Sequence, residues 1–419
     1  MHLPFIKRPL NYSEKAEQHA PFAPSEHLPV HAQFIPAARS LFWLFCFIPV
    51  YNLAAYRQFP LPAQETLPLA GNVILLVWLV ANGRRLLPHI ASVLCDPFVC
   101  FTVVFLCFQI TIDAINGLVE FTSYAPRIVM GLVVYATAAQ VPSALWVMFR
   151  PVIGWSVIFY LFFAVIQLAG MGTAYEGRTN SVFGNPNFFA FHLLQLLYFA
   201  RLVVPNNPPW LWRWLMVIGV VISKTRSAIL LLPVAMFSFS RRNMFRFVVL
   251  AGILAACYVW APQLLRLESK EEIMEMNARR SMWTQIADKF EFNLIWGRGT
   301  DAIIRDKIIP MWRDNTVVGY YQPQNHYLLV LAEGGIIGLI LSMAGLIAYL
   351  RILWPFRQDP ACQTVIALLF SLLTIQIAET DMFTPLLVPA IMGFGISRSR
   401  ELRSWATPPH PRRPSPNFA

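Results

Sequence analysis

Apolar residues run through this chain in blocks of about twenty, the length that crosses a hydrocarbon core as an α-helix, with short polar turns between them. The blocks lie near 38–55, 65–82, 90–112, 127–143, 147–170, 188–205, 211–224, 225–240, 245–262, 325–350, 362–379 and 382–397. The pattern predicts an all-α, polytopic bundle of about twelve transmembrane helices. The seventh and eighth blocks are short and nearly continuous. The polar stretches divide the chain into a tail (1–37), nine helices (38–262), a long loop (263–324), three more helices (325–397) and a second tail (398–419).

The long loop is expected to be helical. Ser269 with Glu272 forms an S-x-x-E capping box. Beyond it Met282, Ile286 and Phe290 recur every four residues with Trp283 beside them, which gives one apolar stripe. Such a helix can lie along a membrane face or pack over a bundle. The Pro-rich stretch 404–419 is expected to be disordered. The first 37 residues are polar, with no short apolar core near the start. The first span is therefore expected to act as its own insertion signal.

Composition supports the membrane reading. The chain is 57% hydrophobic and 13% charged, whereas a soluble domain carries about a quarter charged residues. The net charge of +11 would suggest nucleic acid in a soluble protein. Here it reflects basic residues collected in cytoplasmic connections, and no nucleic-acid partner is expected. Arg84 and Arg85, Arg150, Arg201 and Arg213, Arg241, Arg242 and Arg246, and Arg351 and Arg357 all fall on one side of a twelve-span arrangement. Lys7, Arg8, Lys15 and Arg39 fall on that side too, as do Arg398, Arg400, Arg403, Arg412 and Arg413. Both tails are thus expected in the cytoplasm and 263–324 outside. The six cysteines all lie in apolar blocks, so no outer disulfide is expected. Cys95 and Cys100 lack partners at metal spacing.

The outer face then receives all the unusual polar chemistry: MGTAYEGRTNSVFGNPN at 171–187, Ser223-Lys224-Thr225-Arg226, the long loop, and Gln324-Asn325-His326. Arg226 begins a span, where it either snorkels or holds a phosphate by two parallel hydrogen bonds. Arg279 and Arg280 lie one turn before Trp283, and either could be a solvated basic group or an anion donor; the Arg279 direction lies nearer the apolar stripe. His326 is the one histidine at the outer mouth, either structural or able to take a hydroxyl proton near neutral pH. Glu333 follows on the same helical face, and a carboxylate inside a span marks a functional site or a partner for a neighbouring cation. Asn185 and Asn187 suit helix capping or sugar recognition.

The order of these motifs resembles the O-antigen ligase and polymerase superfamily. Phe183 to Asn187, with Ala190 beyond, matches its N-P-N loop, and Ser223 to Ala228 its Ser/Thr-x-Ser/Thr-Arg-x-Ala span start. Arg280, Trp283, Gly297 and Gly299 match its Arg–Trp–Gly-x-Gly element. Asn325, Leu328, Glu333, Gly335 and Gly338 match its His-Asn-x-x-Leu span start with Glu and Gly beyond. One departure stands out: Gln324 occupies the usual histidine position, and His326 follows the Asn.

The resemblance implies a glycosyltransferase of the bacterial inner membrane, working on the periplasmic face. It implies an undecaprenyl-pyrophosphate-linked glycan as donor and a lipid A–core hydroxyl as acceptor. His326, Arg226 and Arg280 would be the catalytic groups. Asn185, Asn187, Asn325, Gln324, Arg279 and Glu333 would surround the substrates. No carboxylate cluster suits a divalent metal, so a cofactor-free, metal-independent reaction is expected. A polymerase that uses a second lipid-linked repeat is the alternative within the family. A transporter or flippase would want charges near the midplane and paired broken helices, and a membrane scaffold would need no site.

Overall fold

The computed structural model describes residues 34–56, 77–78, 80, 93, 95–118, 125–170, 179–183, 185–204, 210–236, 249, 283–286, 288, 293–306, 310–313, 316–320, 325–376 and 386–406. Its helices are α1 (Ile35–Tyr56), α2 (Pro97–Ile115), α3 (Ala125–Ala138), α4 (Arg150–Leu168), α5 (Pro186–Val203), α6 (Trp210–Ile222) and α7 (Arg226–Met236). After them come α8 (Ala302–Arg305), α9 (His326–Leu353), α10 (Pro360–Ile375) and α11 (Leu387–Ala406). Apart from α8, which lies in the long loop, these helices coincide with the apolar blocks, and 65–82 and 245–262 fall mostly outside the described residues.

Three helices begin with the same device. Asp96, Asn185 and Asp359 sit at N-caps, each followed by proline at the first helical position. The cap oxygen accepts an orphan amide and the proline ring presets φ.

Pro97–Ile115, Ser143–Leu168 and His326–Phe356 are long and apolar enough to cross a membrane. Much of their apolar surface points outward: Ile158, Phe162, Val165 and Leu168 on α4, and Ile336, Ile340 and Ile347 on α9, are exposed. A continuous apolar exterior of this kind suits hydrocarbon rather than water. The chain is a membrane protein.

Helix α5 is the central element, buried from Phe189 to Val203 and packed by α4, α6, α7, α10 and α11. Trp146, from the 3₁₀ turn before α4, is fully buried and stacks on Phe149, with Phe199 and Phe394 edge-on. Gly393 of α11 lies so close to α3 that a Cβ there would meet the Tyr135 carbonyl and Ala138, the small-residue contact usual between membrane helices.

Three expectations are corrected. Within the long loop, Pro310–Arg313 and Thr316–Tyr320 pair as antiparallel strands β1 and β2, so the loop is not wholly helical. Val317, Val318 and Tyr320 favour strands, and Asp314 and Asn315 are turn-forming types. The seventh and eighth blocks are two helices, as expected: Ser223–Thr225 separates them, with Lys224 in the left-handed region at φ 53°. The block beginning at 325 is broken rather than continuous, because Gly335 has non-helical φ 63° and ψ −165°. The last helix runs past 397 to Ala406. There Arg398 pairs with Asp359 at 2.9 Å and with Glu401 at 3.3 Å, and Glu401 accepts from Ser143 N and Oγ.

Candidate functional site at the mouth of α5, α7 and α9

The N-P-N loop is built from below. Gln167 of α4 accepts from Thr179 Oγ1 at 2.9 Å and Asn180 N at 3.1 Å, and donates to the Ser181 carbonyl at 2.8 Å. The Ser181 hydroxyl donates to the Tyr160 carbonyl at 2.6 Å. These bonds satisfy a buried polar turn inside an apolar bundle, where unpaired groups are costly. Phe183 then packs on Tyr160, Phe189 and His192.

Asn185 caps α5, its side chain accepting from Asn187 N at 2.8 Å. Asn187 reaches across to α7, where its Oδ1 accepts from the Thr225 hydroxyl at 3.2 Å. The same hydroxyl lies 3.3 Å from the Pro186 carbonyl, and Ile229 N donates to the Thr225 carbonyl. The N-P-N loop and the S-K-T-R start are therefore one joined corner, and Arg226 is the first residue of α7 at that corner. Its side chain lies outside what the structure describes.

At the start of α9 Asn325 is the N-cap, accepting from Leu328 N at 3.1 Å. His326 N donates to the Gln376 carbonyl at the end of α10, at 2.8 Å, and the Tyr327 hydroxyl donates to the Leu373 carbonyl. The histidine backbone is thus fixed to α10. Glu333 lies seven residues on, roughly 10 Å along the axis. Its carboxylate accepts from Asp301 N at 2.9 Å.

The break in α9 is filled by residues 293–301. Arg298 N and Gly299 N donate to the Ala332 and Glu333 carbonyls at 2.9 Å, and Ile336 N and Ile337 N donate to the Leu294 and Ile295 carbonyls at 2.7 and 3.3 Å. These bonds replace the helical ladder that the kink interrupts. The Gly-x-Gly element is this strap. A Cβ on Gly297 or Gly335 would strike the opposing backbone, and both have positive φ. Thr300 at its end is held by Asp113 of α2: Thr300 N donates to Oδ1 at 2.7 Å and Thr300 Oγ1 to Oδ2 at 2.6 Å. Gln109 Nε2 lies 3.4 Å from the same hydroxyl.

Residues 283–286 are helical, and Ile286 is buried with Ala302, Ile303, Leu329 and Ala332. This part of the expected amphipathic helix covers the beginning of α9.

The structure thus brings Asn185, Asn187 and the Arg226 backbone into one corner, and Asn325, His326 and Glu333 onto α9. Arg279, Arg280 and Gln324, with the capping box at Ser269 and Glu272, lie outside the described residues. Sequence reasoning missed Asp113, Gln109 and Thr300. The available signal was the Asp113 and Gln109 pair, four residues apart in an otherwise apolar block, since an ionisable group there is expensive.

Residues 213–343 match the family model described as O-Antigen ligase. The match takes in the S-K-T-R start, the strap and the start of α9; the N-P-N loop lies before it. Over these residues the chain is similar to the O-antigen ligase family. No curated protein matches the chain.

Proposed function

From that family match we propose that the protein transfers a glycan from undecaprenyl pyrophosphate to a lipid A–core hydroxyl, at the periplasmic face of a bacterial inner membrane. The observation that carries this reading is the joined corner. Thr225 binds Asn187, so the arginine-bearing start of α7 is pinned to the N-P-N loop. A fixed corner favours preorganised charge over a mobile surface arginine.

In the reaction the acceptor oxygen attacks the anomeric carbon, and the bond from that carbon to the pyrophosphate oxygen breaks. The electron pair leaves with the lipid pyrophosphate. Arg226 and Arg280 receive the developing negative charge, which is worth most when the donors are preorganised. His326 takes or orients the acceptor proton. Asn185 and Asn325 build the helix starts, and Asn187 ties the corner. Glu333 orders the strap, and Arg279 and Gln324 would contact the substrates. The reaction so written needs no metal.

Transfer by the purified full-length protein, in lipid nanodiscs with a lipid-linked glycan donor, tests the reading. Lipid A–core as sole productive acceptor supports the ligase. Product that grows only on a second lipid-linked repeat replaces it with a polymerase. Donor movement across the bilayer without any transfer replaces it with a flippase.

A further inference from the structure

The 300–301 end of the strap in the α9 break is held by two carboxylates from different helices, Glu333 of α9 and Asp113 of α2. Glu333 grips Asp301 N at 2.9 Å. Asp113 takes both the amide and the hydroxyl of Thr300, at 2.7 and 2.6 Å. Asp113 is only 2% exposed and is not among the residues assigned to the chemistry above. A buried carboxyl group bonded twice to one residue, at 2.7 and 2.6 Å, is a two-point clamp.

The clamp leads to the site through packed contacts. Immediately after Thr300 and Asp301 come Ala302 and Ile303, both fully buried. They pack with Ile286, in the helical segment that follows Arg280 in sequence, and with Leu329 and Ala332 on the His326 half of α9. Strap amides also bond the Ala332 and Glu333 carbonyls of that half-helix. Gly299 is packed so closely that a Cβ would sit 2.6 Å from Asp113 Oδ1, so the strap has little freedom to shift against α2.

We propose that Asp113 is a positioning residue for the transfer reaction: by gripping Thr300 it fixes the strap that sets the Arg280-following helix against the His326 half of α9. The assignment rests on the transferase reading for its activity arm only. Asp113 acts through the geometry of its two bonds to Thr300, so an asparagine should largely replace it. Its Oδ1 can accept from Thr300 N, and its Nδ2 can donate to the threonine hydroxyl.

The experiment uses the full-length protein in nanodiscs with two readouts, turnover of the lipid-linked donor and amide hydrogen exchange over 298–301. Asp113→Ala should lower turnover on the order of 100-fold, the scale of a displaced reacting group, and should accelerate exchange at the strap. Asp113→Asn should recover most of both. Thr300→Val should lose part of each, and combining it with Asp113→Ala should add little, because the two act as one contact. If Asp113→Ala does not fold, Asp113→Asn and Thr300→Val carry the comparison. Unchanged exchange in Asp113→Ala overturns the proposal whatever the donor. So does an Asp113→Asn that is inactive with a protected strap, since the carboxylate would then act in the chemistry. An inactive wild type, with exchange that responds to Asp113→Ala, overturns the transferase reading alone.

Discussion

The Thr225 hydroxyl donates to Asn187 Oδ1 at 3.2 Å, joining two motifs that lie 38 residues apart in sequence. Each residue also serves its own helix. Thr225 accepts from Ile229 N as α7 begins, and Asn187 follows the cap and proline of α5. Removing the hydroxyl should separate the corner without disturbing either helix. Thr225→Val is expected to lower stability by about 1 kcal/mol and to reduce transfer, while Thr225→Ser keeps both. Thermal unfolding and turnover of the two variants check this, and a fully active Thr225→Val would show that the corner has no role in the reaction.

The leaving-group prediction concerns the arginines. Arg226→Ala and Arg280→Ala should each reduce transfer on the order of 100- to 1,000-fold. Lysine should restore only part, because it lacks the planar fork. Arg279→Ala is the comparison; if it alone is inactive, the functional arginine is its neighbour. Near-normal turnover in Arg226→Ala would leave that residue as a snorkelling cation.

His326→Ala should lower turnover by roughly 100- to 10,000-fold, the range for loss of a general base, with donor binding retained. Activity of the parent should fall toward acid pH as the imidazole gains a proton. Adding Gln324→His to His326→Ala should restore turnover if a histidine at either place reaches the acceptor. Full activity in His326→Ala removes the base and leaves positioning and arginine electrostatics as the source of catalysis.

Gly335 sits at φ 63° and ψ −165°, a region that essentially only glycine enters, and its Cα faces the Ile295 carbonyl. Gly335→Ala should therefore displace the strap and destabilise the protein by about 1 to 3 kcal/mol. A Gly338→Ala variant should be mild, since a Cβ there meets only ordinary contacts at 3.5 Å and beyond. Equal stability of both variants would contradict the kink's role.

Topology is open to cysteine labelling. Position 290 should react from the periplasm, and 84 and 242 should not. Labelling of 84 or 242 without 290 would invert the basic-residue argument.

Helix positions were legible because hydropathy and cap chemistry act locally. The Asn185 cap read from the sequence is kept, while the Asp–Pro starts at 96 and 359 were not read from it. Ile286, on the apolar stripe read from the sequence, is indeed buried. The break at Gly335 was not legible. A glycine in an apolar run is compatible with an unbroken helix, and only the arrival of Leu294 to Gly299 shows otherwise. Asp113 was missed for a related reason: its partner Thr300 lies 187 residues away, beyond any periodicity argument. The strands at 310–320 were masked by the assumption that one amphipathic segment speaks for the whole loop.

The interrupted helix bears on how the protein is made. Four backbone groups flanking Gly335 are bonded by residues 294–299, and in hydrocarbon a backbone group left bare costs several kcal/mol. As the chain leaves the ribosome, the strap is synthesised before the segment it completes. The 326–353 segment would therefore have to insert with the strap already seated, so that the insertion unit is that apolar block together with residues 293–301. A truncated chain ending before 293, rejoined to 325–419 as a separate polypeptide, should leave the later fragment poorly integrated, whereas a split placed before 283 should not.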